Sequence, residues 1–159
     1  MTIGRRTLRY LPAAAVLFLG ISATAQPSPN SGQSLEGAWQ VSITLPEGLP
    51  APPCAPAGTL ATHDGLVLAE SCWGFAGAAY GVWARTAHGQ FAITMTGNSY
   101  GGDGAVAGTY KVRAKVTLAP DGRSFSGEYH TDTFDVAGKQ LGSFTGRIRA
   151  VCIQLELLN

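Results

Sequence analysis

The chain has 159 residues, about one domain's worth, with eleven Lys and Arg against ten Asp and Glu and only 13% charged residues. Three of the basic residues, Arg5, Arg6 and Arg9, fall in the first nine positions, so the remainder carries eight against ten. That leaves no basic surplus to grip a phosphate backbone or an anionic bilayer, and it excludes nucleic acid as an expected partner.

The N-terminus reads as an export signal over residues 1–25. Arg5, Arg6 and Arg9 form a positive region, Leu11 to Ile21 an apolar one, and Ala23-Thr24-Ala25 a small-x-small cleavage site. The apolar run is too short for a bilayer, which needs about 20 residues. No membrane insertion is therefore expected after cleavage. Gly4-Arg5-Arg6-Thr7-Leu8 is a loose match to twin-arginine export, and the general secretory route is the other option. Residues 26–34 (QPSPNSGQS) read as a flexible tether, and 35–159 as one domain expected in the periplasm or the medium.

From Leu35 onward the pattern alternates with period two. Trp39, Val41, Ile43 and Leu45 share a face, as do Phe91, Ile93 and Met95. Between Val106 and Leu118 the apolar set Val106, Gly108, Tyr110, Val112, Ala114, Val116 and Leu118 opposes Thr109, Lys111, Arg113, Lys115 and Thr117. Asp64-Gly65 and Asp121-Gly122 mark tight hairpins. Ala87 to Gln90 and Val136 to Lys139 read as further turns, and Gly97 to Gly104 as the longest of the tight connections. The spacing predicts strands over 36–45, 56–62, 66–72, 79–86, 90–97, 105–119, 123–134 and 139–155. Segment 46–55 holds Pro46, Pro50, Pro52 and Pro53, which exclude regular pairing. About eight antiparallel strands in a meander predict an all-β fold, a single up-and-down barrel that hides its edges by closing. An open two-sheet β-sandwich is the alternative.

Export permits a disulfide. Cys54 and Cys72 flank a predicted hairpin and are the expected pair, contributing about 3 kcal/mol by loop closure. Cys152, in Val151-Cys152-Ile153, is expected to be a buried, inert thiol.

Gly37-Ala38-Trp39 resembles the Gly-x-Trp signature of the calycin barrels, the group holding lipocalins, fatty-acid-binding proteins and avidins. The resemblance implies that Trp39 closes one barrel end beneath an arginine of the last strand, here Arg147 or Arg149. A guanidinium stacks well on indole. The chain is also similar over nearly its whole exported part to small exported bacterial proteins of unknown function. Gly37/Trp39, Thr59 to Gly65, Gly81-Val82-Trp83, Pro120 to Gly122 and Arg147 to Arg149 carry that likeness. Those proteins often have His-Gly before the second tryptophan, where this chain has Tyr80-Gly81.

The candidate site residues fall into two sets. Tyr80, Phe91 and Tyr110 are expected to face the lumen, with Trp83 on the other face of its strand. An eight-stranded barrel has room there for one small ligand. Glu128, His130 and Asp132 share one strand face. They are either an acid–base group, with Glu128 and His130 catalytic, or part of a solvated outer wall. His63 and His88 sit in turns, no zinc motif or Gly-x-Ser-x-Gly occurs, and Gly101-Gly102-Asp103-Gly104 has too few acids for calcium. No metal and no cofactor are expected. The leading expectation is a barrel that binds a small apolar or amphipathic molecule in its lumen. The alternatives are an isomerase or cyclase on a hydrophobic substrate, and a structural or protein-interaction module of the cell envelope.

Overall fold

The computed structural model describes residues 34–45, 57–70 and 76–156. The expected signal peptide, nearly all of the tether, and both Cys54 and Cys72 lie outside the described residues. Eight strands follow one another: β1 (Gly37–Thr44), β2 (Ala57–Ala61), β3 (Leu66–Ala69), β4 (Ala79–Ala87), β5 (Gln90–Tyr100), β6 (Val106–Leu118), β7 (Ser124–Asp135) and β8 (Gln140–Cys152). Each pairs antiparallel with the next, and β1 pairs with β8 to close an up-and-down barrel. The sandwich alternative is thereby set aside. Closure gives every strand two partners and leaves no edge.

The strand bounds follow the sequence pattern closely, with one informative difference. β5 runs on through Gly97, Asn98 and Ser99 to Tyr100, where a loop was expected from Gly97. Gly97 pairs with Tyr110, and a Cβ on Gly97 would lie 2.6 Å from the Tyr110 ring. The glycine is there because the ring crosses over it, so it marks a close approach within a strand and not a turn. The turn itself is confined to 101–105, closed by Gly101 N–H to the Ala105 carbonyl at 2.8 Å.

The wall is divided in its use of side chains. In β5–β8 the large residues point inward: Phe91, Ile93, Val116, Leu118, Phe125, Tyr129 and Ile148 are buried. Their outward neighbours are polar, including Lys111, Arg113, Lys115, Glu128, Arg147 and Arg149. In β2 and β3, and at the start of β4, the inward positions are small, with Ala61, Val67, Ala69 and Ala79 buried. A lumen of eight strands holds few large side chains. The long strands supply most of them, so the short strands can contribute only small ones.

This division corrects the expected face of Tyr80. It is 63% exposed on the outer wall. Trp83 is the inward residue of β4, with its ring 5.7 Å from Phe91 and edge-on to it. A large aromatic next to Gly81 read as the inward residue; the barrel instead places small Gly81 inside and Tyr80 outside.

The arginine expectation is also corrected. Trp39 pairs across the closing seam with Cys152, and Arg149 and Arg147 pair with Ser42 and Thr44. Positions 147 and 149 therefore face the opposite side of β8 from Cys152. Both are exposed. Trp39 is 1% exposed and packs on Phe125, ring centroids 5.0 Å apart. Its indole N–H donates to the Leu35 carbonyl at 2.7 Å. An aromatic partner and a backbone acceptor do the work expected of the guanidinium.

Candidate functional site

The two ends of the barrel differ. At one end lie the hairpins 62–66, 87–90 and 118–124, with Leu35 and Trp39 beneath them. Trp39, Phe91, Leu35 and Val116 are the largest fully buried side chains. Trp83 donates from its indole N–H to the Thr62 carbonyl at 3.1 Å, tying β4 to the first hairpin. In that hairpin the Thr62 hydroxyl donates to Asp64 and holds its carboxyl below the ordinary value of 3.8. Among the described residues this end is densely packed, with Trp83 and Cys152 only partly covered.

The other end is where β1 finishes, β2 begins and β3 gives way to β4. There the inward residues are only partly covered. Met95 pairs with Val112, Val112 with Thr131, and Thr131 with Phe144, so the four form one layer across β5–β8. Met95, Val112 and Phe144 are half-buried, as is Ile43 of β1, and all four rest against the packed core. Thr131 is the buried polar member of the layer. One step further out, Tyr110 donates its hydroxyl to the Gly77 carbonyl at 2.6 Å. Below, Tyr129 donates to the Thr44 carbonyl at 3.2 Å, and burial pushes its phenol above the ordinary value near 10. Among the described residues the arrangement is an apolar recess with hydroxyls beside it and Tyr129 beneath, its ring edge-on to Phe144 at 6.2 Å. An eight-strand barrel of this kind fits a ligand-binding lumen in general.

Of the three residues expected to face the lumen, Phe91 and Tyr110 point inward, but they do not meet. Phe91 is fully buried, packed beside Trp83 at the hairpin end with the Arg85 guanidinium 5.6 Å from its ring centre. Tyr110 stands at the open end. Tyr80 is outside. The residues that line the recess, Ile43, Met95, Val112 and Phe144, alternate correctly in the sequence. Nothing in that alternation distinguishes a covered inward position from a half-covered one.

Glu128, His130 and Asp132 all face outward. Glu128 stands between Lys115 and Arg147 in the register. It lines a shallow outer groove of about 260 Å³ with Ser126, Gly127, Arg147, Ile148 and Arg149. His130 belongs to a different group. Its Nε2–H donates to Asp132 Oδ1 at 3.0 Å, because a carboxylate can only accept. Nδ1 then accepts from the Thr145 hydroxyl at 3.1 Å. Asp132 also accepts from the Arg113 guanidinium and, at 3.0 Å, from the Gln140 amide.

The sequence Thr145–His130–Asp132 has the order of a nucleophile relay. Its setting argues for a clamp instead. Asp132 shares its charge among three donors, and Thr145 sits in mid-strand on a convex face, paired with His130. The group ties β6, β7 and β8 together on the outside. Among the described residues, no three His, Cys, Asp or Glu converge on a metal site. A lumenal enzyme built on Tyr80, Glu128 and His130 is ruled out by position, since all three point away from the cavity.

The clamp has a measurable consequence. Asp132→Ala strands three donors, Arg113, His130 and Gln140, and is expected to lower stability by about 1–2 kcal/mol in urea unfolding. The cost stays below that of a fully buried pair because the Arg113 side chain is 50% exposed and screened by water. A loss under 0.3 kcal/mol, well below a typical hydrogen bond, would show that the cluster holds nothing together.

No protein-family model and no curated protein matches the chain, so the geometry carries the functional argument.

Proposed function

We propose that the protein is an exported, calycin-like barrel that holds one small apolar or amphipathic molecule in its lumen, entered from the end opposite the Trp39 hairpins. The single observation that carries this reading is the layer of Ile43, Met95, Val112 and Phe144. These are inward-facing apolar side chains that remain partly accessible, whereas Leu35, Trp39, Phe91, Val116, Leu118 and Phe125 at the other end are buried and, among the described residues, only Trp83 and Cys152 there are partly covered. Apolar surface inside a closed wall is where a ligand gains most from leaving water. The buried Thr131, with the hydroxyl of Tyr110 and that of Thr133, which pairs with Tyr110 and donates to the Gly142 carbonyl at 3.3 Å, favours a molecule with one polar end. Export is supported by the N-terminal pattern of Arg5 to Ala25.

The test is native mass spectrometry of the protein purified from its producing cell, before and after exposure to mixed fatty acids and small aromatics. The expected result is a retained or acquired small-molecule mass. Met95→Trp, which fills the recess, is expected to weaken that retention at least about tenfold while the fold persists. An unchanged bare mass under every condition would overturn the reading.

A further inference from the structure

The same division of side chains that fills the lumen leaves an apolar face outside. On β2, β3 and β4 the outward residues are Leu60, Leu66, Leu68, Tyr80 and Val82, each between 47% and 63% exposed. The register makes them one patch. Leu60 pairs with Leu68, Leu68 with Tyr80, and Leu66 with Val82. Ala38 extends it on one side, and Thr94 and Thr96 border it on the other. No charged residue interrupts these pairs. Charge appears only at the margins, as Glu70 beyond β3, the His63–Glu36 pair at 3.1 Å, and Lys111 and Arg113 just past Thr96 and Thr94. The five side chains expose roughly 500 Å² together, near the upper end of what a monomer usually leaves to water.

We propose that this face is the contact between two copies of the chain. Two such patches together remove roughly 1,000 Å² from water, the area at which specific interfaces begin, before any rim contact is counted. Both faces are uncharged, so a copy brings no like charge against its twin, and a self-complementary apolar face suits a two-fold pairing. Closure of the barrel leaves no strand edge to extend, so association proceeds face to face. Leu68, flanked by Leu60 and Tyr80, is the centre of the patch and lies at the two-fold axis against its counterpart.

A lipid surface fits the same face less well. The margin is mixed, with Glu36 and Glu70 on one side and Lys111 and Arg113 on the other, and not the basic cluster an anionic bilayer would want. A membrane-spanning barrel would need an apolar band all the way round. Instead β6–β8 present Lys111, Arg113, Lys115, Glu128, Arg147 and Arg149 to the outside.

The test is sedimentation velocity on the protein as recovered from its producing cell, up to about 100 µM, with Leu68→Lys and Leu68→Glu measured alone and mixed. The expected result is a dimer for the unaltered chain. Each variant alone should sediment as a monomer, its association at least about a hundredfold weaker, because like charges meet on the axis. The equimolar mixture should recover a dimer, and circular dichroism and the melting temperature should match the unaltered chain throughout. A monomer at every concentration would overturn the proposal, as would a dimer that survives both charges. Hydrogen exchange showing β2–β4 protected in a monomer by residues 26–33, which remain after export, would overturn it too, and assign the face to that segment.

Discussion

Trp39→Ala is expected to cost about 3–5 kcal/mol, a large share of the stability that a domain of this size has to lose. Three separate terms fall together. The indole is 1% exposed, so its removal opens a cavity at the packed end of the barrel. The edge-on contact with Phe125 at 5.0 Å is lost. The Leu35 carbonyl, which accepts the indole N–H at 2.7 Å, is left buried without a donor. Trp39→Phe separates these terms. It keeps most of the ring and the packing but not the donor, and is expected to cost about 2 kcal/mol. Equilibrium urea unfolding of both variants checks the account. If Trp39→Phe proves as costly as Trp39→Ala, the hydrogen bond and not the packing is what holds this end. If both stay under about 1 kcal/mol, the plug is unimportant and the barrel is held by its wall alone.

The plug also bears on function. Trp39, Phe125 and Phe91 are buried at the hairpin end, and among the described residues the partly covered layer at Met95 and Phe144 lies nearer the other end. A ligand that bound from the hairpin end would have to displace the most buried side chains in the molecule.

How far the sequence led depends on which strand is considered. β6 alternates large apolar with charged residues, so its inward face was legible from composition alone, and the same held for Phe91, Ile93 and Met95. Closure into a barrel followed from hairpin signals and the absence of long connections. The reading failed on β4, where Tyr80 and Val82 point outward and Gly81 inward. A period-two pattern fixes which residues share a face but not which face is the inner one. In an amphipathic strand charge settles that choice, and Tyr80-Gly81-Val82 has none. The arginine expectation failed for a related reason. Arg147 and Arg149 lie on the face opposite Cys152, and it took the register of the closing seam to show that Cys152 is the residue facing Trp39. The His130–Asp132 cluster was visible as a shared face. Its meaning depended on Arg113, Gln140 and Thr145, which come from strand positions whose register the sequence does not encode.

Gly127→Ala is expected to be among the costly single-methyl additions in the described wall that involve no unusual backbone angle, at about 3 kcal/mol. Gly127 pairs with Val116 on β6 and Ile148 on β8. A Cβ placed on it would collide with the Lys115 carbonyl oxygen and lie 2.8 Å from the Val116 Cα and 2.9 Å from the Lys115 carbonyl carbon. All three are backbone atoms, so no side-chain rotation relieves the clash; β6 and β7 would have to part. The missing side chain lets the two backbones approach here, and glycines at close approaches of this kind help a sheet to curve and close. Gly102→Ala is the matched control. It has the same change in chain entropy, no atom within 4 Å of the new methyl, and a φ outside the left-handed region. It is expected to be neutral or slightly stabilising. Urea midpoints for the two variants give the comparison directly. A Gly127→Ala cost near that of Gly102→Ala would mean that β6 and β7 separate easily. The wall would then be loose enough for a ligand to enter between strands, and the open end would lose its claim to be the entrance.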